Sequence, residues 1–250
     1  MKILVYENTF QGFLTAIYEA FYSLEKPAKI ISKFDYLRDF QLQLETEVVE
    51  ISVNQEKADK VYNAVLKKIS TGTLSNLYYL FLSSDYDKGI LAFYYLKFAF
   101  KKGKYTDNYL VDENVKPVHD IVWKVKQEKH RMKGLLRFKL LDNGIYYAAF
   151  EPDHDITELI APHFSRRLGD QFWIIHDLKR LKAALYNKEE WIISDLTEKE
   201  LPPLSAKEIE IQEIWKKYFK HISIKERKNN KLQKSFMPVR YWKHLVEKEE

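Results

Sequence analysis

The stretch "ISIKERKNNKLQKSFMPVRYWKH", residues 222 to 244, concentrates the side chains best suited to chemistry on an anion. From Lys220 to His244 run eight cations, Lys220, Lys225, Arg227, Lys228, Lys231, Lys234, Arg240 and Lys243, against one acid, Glu226. That is a net of +7 in a chain whose total is +5, so the remainder is slightly acidic. Phe236, Tyr241 and Trp242 are interleaved with the cations. Ammonium and guanidinium groups neutralise phosphates and flat rings stack on bases, so the segment reads as a nucleic-acid-binding element. A solvated cationic face, or a tail that docks on an acidic protein surface, is the competing reading.

A second set of groups lies mid-chain. "EKHRMKG", "EPDHD", "APHF" and "IIHD" set His130, His154, His163 and His176 close to acids, Asp177 among them. Imidazole beside carboxylate serves a general base or a metal site. The spacing matches no HExxH or comparable motif, so no metal and no cofactor is expected. His130, His154, His163, His176 and Asp177 stand as catalytic candidates should the chain process nucleic acid itself, and as capping or hydrogen-bonding groups otherwise. None of the seven glycines forms GxxxxGK[ST], GxGxxG or GxSxG. Nucleotide hydrolysis, dinucleotide redox chemistry and the common serine hydrolase route therefore lack support.

The third candidate surface is a helix. From Lys116 to Lys133, Val118, Ile121, Val122, Val125 and Met132 recur at helical spacing as a core stripe. Beside it, His119, Trp123, Lys126, His130 and Lys133 fall within about an 80° arc at 100° per residue. Trp123, Lys126, His130 and Lys133 of this basic-aromatic stripe, with Arg131, Arg137, Lys225, Arg227, Lys228, Lys231, Lys234, Arg240, Tyr241, Trp242 and Lys243, are the predicted nucleic-acid contacts. A half-buried Trp in a solvated face is the alternative.

The elements that must position these groups read as α+β. "KILVY" predicts an opening strand, Thr9 a cap, and Phe10, Phe13, Ile17 and Phe21 a following helix. "AKIIS" and "TEVVEIS" read as strands, and residues 55 to 103 as a helical cluster. "LLRFKLLDNGIYYAAF" predicts a hairpin turning at Asp142-Asn143-Gly144. A helix around "DITELIAPHFSRRL" and strands at "FWIIHD", "LKAALY" and "EWIIS" complete an expected antiparallel sheet with covering helices. After two prolines, Ser205 and Glu208 form a capping box for a helix whose Ile211, Ile214, Trp215, Tyr218 and Ile222 should pack on the body. Three segments are expected: 1–103, N-terminal α/β and helical; 104–197, sheet-bearing; and 198–250, the C-terminal helix with its basic segment.

A chain of 250 residues with 46% hydrophobic and 31% charged residues is globular in composition. Without cysteine it forms no disulfide or thiolate-held cluster, which suits a reducing cytoplasm. Its apolar runs are too short for a signal peptide or a membrane span.

"QGFLTAIYEAF", "EKHRMKGLLRF", "FEPDHDITELIAPHFSRRL", "FWIIHDLKR" and "IWKKYFKHISIKERKNNKLQKSFMPVRYWKHL" resemble the bacterial "probable DNA metabolism protein" family, a domain of unknown function. The resemblance spans essentially the whole chain. It implies an association with DNA repair or modification. Family members are encoded beside a radical S-adenosylmethionine protein similar to spore photoproduct lyase, or fused to a uracil-DNA-glycosylase-like domain. No reaction is carried over. The motif positions in this chain are Glu128, His130, Arg131, Lys133, Arg137, Glu151, Asp153, His154, His163, Arg167, His176, Asp177, Arg227, Arg240, Tyr241 and Trp242. The expectation is a DNA-binding accessory protein that presents DNA to such a partner; the alternatives are a nucleic-acid-processing enzyme and a protein–protein adaptor.

Overall fold

The computed structural model describes residues 2–39, 47–197, 201–222, 224, 227 and 229–248. They divide into two compact units, Met1–Lys126 and Gln127–Glu250. The break between them falls inside a helix. Among the described residues no helix is long and apolar enough to cross a membrane.

In the first unit, β1 (Lys2–Tyr6) is the central strand of a parallel sheet, flanked by β2 (Lys29–Ser32) and β3 (Glu47–Ile51). The α1 helix (Phe10–Tyr22) is the crossover between β1 and β2. It starts where Thr9 accepts the Gly12 amide at 3.0 Å, as predicted for a cap. Phe13 and Ile17 of its apolar face are fully buried. The short α2 (Lys33–Asp39) follows β2.

The helices α3 (Gln55–Lys68), α4 (Thr71–Phe81) and α5 (Lys88–Lys102) supply the rest of this core. Ala58, Val61, Val65 and Ile69 are buried at helical spacing, while Tyr62 and Leu66 beside them are exposed. Gly89 is needed for a close approach: a Cβ there would lie 2.1 Å from the Ile30 carbonyl oxygen, so α5 reaches β2 only because that position lacks a side chain. The helix α6 (Lys116–Leu135) contributes its first residues to this unit and its last to the second, with Val118, Ile121, Val122, Val125 and Met132 buried as expected.

The second unit is built on a five-stranded sheet in the order β4 (Lys139–Leu140), β5 (Tyr146–Phe150), β6 (Trp173–Asp177), β7 (Lys182–Tyr186) and β8 (Trp191–Asp195). The fold class is α+β, but the sheet is mixed. The β5–β6 pair is parallel, because α7 (Thr157–Arg167) carries the chain back to the starting edge, whereas the β4–β5, β6–β7 and β7–β8 pairs are antiparallel. The predicted turn is present, with Gly144 at φ 81°. Trp173, Ile175, Ala148 and Phe150 bury one sheet face, and Phe138 meets both Phe164 of α7 and Trp173 edge-on.

Two C-terminal helices follow, α8 (Ala206–Ile222) and α9 (Asn230–Phe236), then 3-10 turns at Val239–His244 and Val246–Lys248. The Ser205 hydroxyl accepts the Glu208 amide at 3.1 Å, so half of the expected capping box forms. Glu208 does not reach back to Ser205. Its carboxylate accepts the Leu140 amide at 3.0 Å, while the Ser205 amide donates to the Leu140 carbonyl. The helix start is thereby stitched to β4.

Candidate nucleic-acid interface

The C-terminal segment has two structural halves of opposite character. The half that follows α9 is anchored. Tyr241 is 3% exposed and its hydroxyl donates to Oε1 of the equally buried Glu128 on α6 at 2.5 Å. The same carboxylate accepts the amides of Asp153 and His154, each at 2.8 Å. Burial first, then the Glu128 carboxylate, pushes the Tyr241 phenol well above its ordinary range.

Around this pin the cations find acids. Arg240 pairs with Asp153 at 2.8 Å, and Lys243 contacts Glu151. Arg137 holds Glu247 bidentately, Nη2 to Oε1 at 2.6 Å and Nε to Oε2 at 3.3 Å. Burial works against the Glu247 charge, but Arg137 and further donors hold its carboxyl below the usual range. Trp242 is half-buried, with Nε1 donating to the Met237 carbonyl at 2.9 Å and the Lys248 ammonium 4.5 Å from its ring centre.

Four of the predicted phosphate and base contacts, Arg137, Arg240, Tyr241 and Lys243, are therefore committed within the protein, as is the indole N–H of Trp242. Sequence could not reveal this, because the partners lie far away along the chain: 110 positions separate Arg137 from Glu247 and 113 separate Glu128 from Tyr241.

The half from α8 through α9 faces outward. Ile211, Ile214, Trp215, Tyr218 and Ile222, the face expected to pack on the body, are all exposed, Ile214 at 66%. The α8 helix is held instead by single polar contacts, Glu208 of its first turn on β4 and Trp215 Nε1 at mid-helix on Glu247 at 3.3 Å. The rings of Trp215 and Tyr218 stack at 5.5 Å. Between α8 and α9 lies an open groove of about 790 Å³, floored by Phe219, Ile222, Leu232 and Phe236 and bordered by Lys216, Lys220 and Arg227. Lys231 and Lys234 are exposed on α9, and among the described residues no carboxylate pairs with either. Lys225 and Lys228 lie outside the described residues.

The helix candidates separate between the two units. In the first, Trp123 is exposed at 61% and the Lys126 ammonium lies 5.0 Å from the centre of the Tyr79 ring. In the second, His130 is exposed, Arg131 reaches the Ser235 carbonyl at 3.5 Å, and Lys133 lies near His163. Partial burial first, then Lys133, Arg167 and Arg166, push the His163 pKa below the ordinary imidazole value. That group is a local cationic cluster.

The remaining catalytic candidates have structural partners. His176 is fully buried, with Nδ1 2.9 Å from the Tyr147 hydroxyl and Nε2 3.0 Å from the Leu196 carbonyl. Asp177 is fully buried and receives Arg180 at 2.8 Å; burial raises its pKa while Arg180 opposes the rise. Arg180 also donates to the carbonyls of Pro152 and Asp153, and Lys182 to the carboxylates of Asp155 and Glu158. The "EPDHD" loop that contains His154 is thus bracketed on both sides. Among the described residues no group of three or more His, Asp or Glu converges as a metal site requires.

A constellation that the sequence did not announce sits in the first unit. Asp107 accepts from Tyr95 at 2.6 Å, Asn76 at 3.1 Å and Thr73 at 3.1 Å, with His119 Nε2 at 2.8 Å. These residues come from α4, α5, α6 and the 3-10 turn Gly103–Asn108. No local motif links them.

The second unit is thus an α+β fold whose acidic loop clamps the end of a basic C-terminal segment. A family model described as a domain of unknown function, DUF4130, matches residues 86–247, and the chain belongs to that family. No curated protein matches the chain.

Proposed function

We propose that this protein is a DNA-binding accessory factor in DNA repair or modification, presenting DNA to a separately encoded radical S-adenosylmethionine enzyme or to a glycosylase-like domain. The observation that carries the reading is the outward half of the C-terminal segment. There, exposed rings of Trp215, Tyr218 and Phe236 stand among Arg227, Lys231 and Lys234, which are also exposed. Cations for phosphates beside flat rings for bases are what a binder of exposed strands needs. Ring stacking tolerates any sequence, and this suits a protein that delivers DNA rather than reads it.

The test is a salt titration of DNA affinity. Replacing Lys231 and Lys234 by Gln should flatten the slope of log affinity against log salt by about 0.9 for each lost phosphate contact on duplex, or about 0.7 on single strand. An unchanged slope and affinity would remove the DNA reading. The exposed isoleucines of α8, Ile209, Ile211 and Ile214, favour a second reading in which the same face docks on a protein. In that case substitutions of these isoleucines abolish capture of the partner enzyme while DNA affinity stays intact.

A further inference from the structure

One face of the five-stranded sheet packs against α7; the other carries Ile174, Leu185 and Ile192 together with small and polar residues. The register sets Lys139 opposite Tyr147 and Ala149 opposite His176, so these four side chains share that second face. A cavity of about 400 Å³ lies over it. Lys139, Tyr147 and His244 are on its polar side, and Leu178, Leu201 and Pro202 are among the apolar residues that close it. Ala149 forms part of the floor, and its short side chain leaves the room.

The polar groups are positioned to hydrogen-bond, not to neutralise a dense charge. Arg137 also borders the cavity, but its donors are spent on Glu247 and on the carbonyls of Gly134 and Leu136. The His244 Nε2 is buried without a hydrogen-bond partner; Glu151 Oε1, at 3.5 Å, is a long electrostatic contact. Burial pushes the His244 pKa down, with Glu151 opposing, so the ring is neutral near neutral pH and offers both a donor and an acceptor. His176 donates its Nε2 hydrogen to the Leu196 carbonyl, which leaves Nδ1 as the acceptor for the Tyr147 hydroxyl in the neutral ring. The phenol is thereby fixed in position at the cavity edge.

We propose that this cavity is a nucleobase pocket, which takes a base extruded from a bound strand. Apolar walls of Leu and Pro side chains, a hydrogen-bonding edge of phenol, imidazole and ammonium, and a volume within the range of small-molecule sites suit an extruded base. A nucleotide's phosphate would remain outside, consistent with the absence of an uncommitted guanidinium on the cavity wall. The pocket rests on the DNA reading for its biological use but not for its chemistry, since it belongs to the sheet and not to α8 or α9.

The experiment has two arms on the full chain. In the first, free 2-aminopurine deoxyriboside is titrated by its fluorescence; in the second, a strand carrying one 2-aminopurine is titrated. Ala149→Leu, which fills the floor, should weaken the free nucleoside by about tenfold or more and suppress the unstacking signal of the strand, while strand affinity and its salt slope persist. Tyr147→Phe keeps the ring and should alter discrimination among bases, with the melting temperature of each variant checked against the parent. No binding of the free nucleoside at millimolar concentration, or binding indifferent to Ala149→Leu in a folded variant, overturns the pocket. Inorganic phosphate competing as well as the nucleoside also overturns it. Strand affinity lost in the Lys231 and Lys234 variant but nucleoside binding kept leaves the pocket standing; nucleoside binding absent with strand affinity intact defeats the pocket alone.

Discussion

The hydroxyl of Tyr241 donates to the Glu128 carboxylate at 2.5 Å, a bond between two buried residues 113 positions apart. Because Glu128 also caps the amides of Asp153 and His154, one carboxylate joins α6, the acidic loop and the C-terminal segment. Tyr241→Phe removes one donor and should cost about 1–3 kcal/mol, the usual penalty for an unmet buried partner. Glu128→Gln turns an amide NH2 toward donors and should cost at least as much. Denaturant midpoints measure both. Amide exchange at Leu245 and Val246 should quicken in each variant, since those residues are held down by the pin; unchanged exchange would show that the segment is anchored otherwise.

The exposed rings should matter for binding and not for stability. Tyr218→Ala and Phe236→Ala, both at outward positions, should each weaken single-strand affinity by about 1–3 kcal/mol while leaving the salt slope unchanged. Trp242→Ala should behave oppositely, lowering stability through loss of the Met237 bond and the Lys248 contact. Parallel melting and affinity curves separate the two classes.

His163 should report anion binding. Partial burial and its cationic neighbours Lys133, Arg167 and Arg166 hold its pKa below that of a free imidazole. A polyanion that settles on this cluster supplies negative potential and should move the value upward, read from the ring proton shifts in an NMR pH titration with and without an oligonucleotide. A value unmoved by saturating oligonucleotide would show that the strand runs elsewhere on the second unit.

The pH dependence of stability has a definite sign at His244. Its folded pKa is depressed, mainly by burial, so as pH falls below the ordinary imidazole value of about 6.5 the unfolded chain takes up the proton first. Stability is therefore complete above that pH and declines between it and the lower folded pKa. His244→Gln should flatten this part of the stability curve in thermal melts from neutral to mildly acidic pH.

In the first unit, Asp107→Asn should loosen the network to Thr73, Asn76, Tyr95 and His119. The carboxylate accepts from several sides, and an amide presents hydrogens to some of the same donors. A cost of about 1–3 kcal/mol is expected. Denaturant midpoints of the variant and the parent measure it.

Much of the architecture was legible in the sequence because it follows from local periodicity. The period of 3.6 that placed Val118, Ile121, Val122, Val125 and Met132 on one face buried them, and the Thr9 cap and the Gly144 turn depend only on adjacent backbone. The α+β class follows from the same patterns. What the tertiary structure decided was partnership. An apolar stripe on α8 indicates a helix with one greasy side, but not whether anything covers it, and here the first turn and the mid-helix Trp215 are held by polar contacts while Ile214 and Tyr218 stay in contact with solvent. A run of cations does not disclose which have acids beside them: Arg240 and Lys243 meet Asp153 and Glu151, whereas among the described residues no carboxylate pairs with Lys231 or Lys234. The parallel β5–β6 pair and the cavity above Ala149 likewise depend on where α7 returns the chain. Charge and periodicity are properties of neighbours in sequence, while neutralisation, burial and empty space are properties of neighbours in three dimensions, and only the folded chain brings Tyr241 to Glu128.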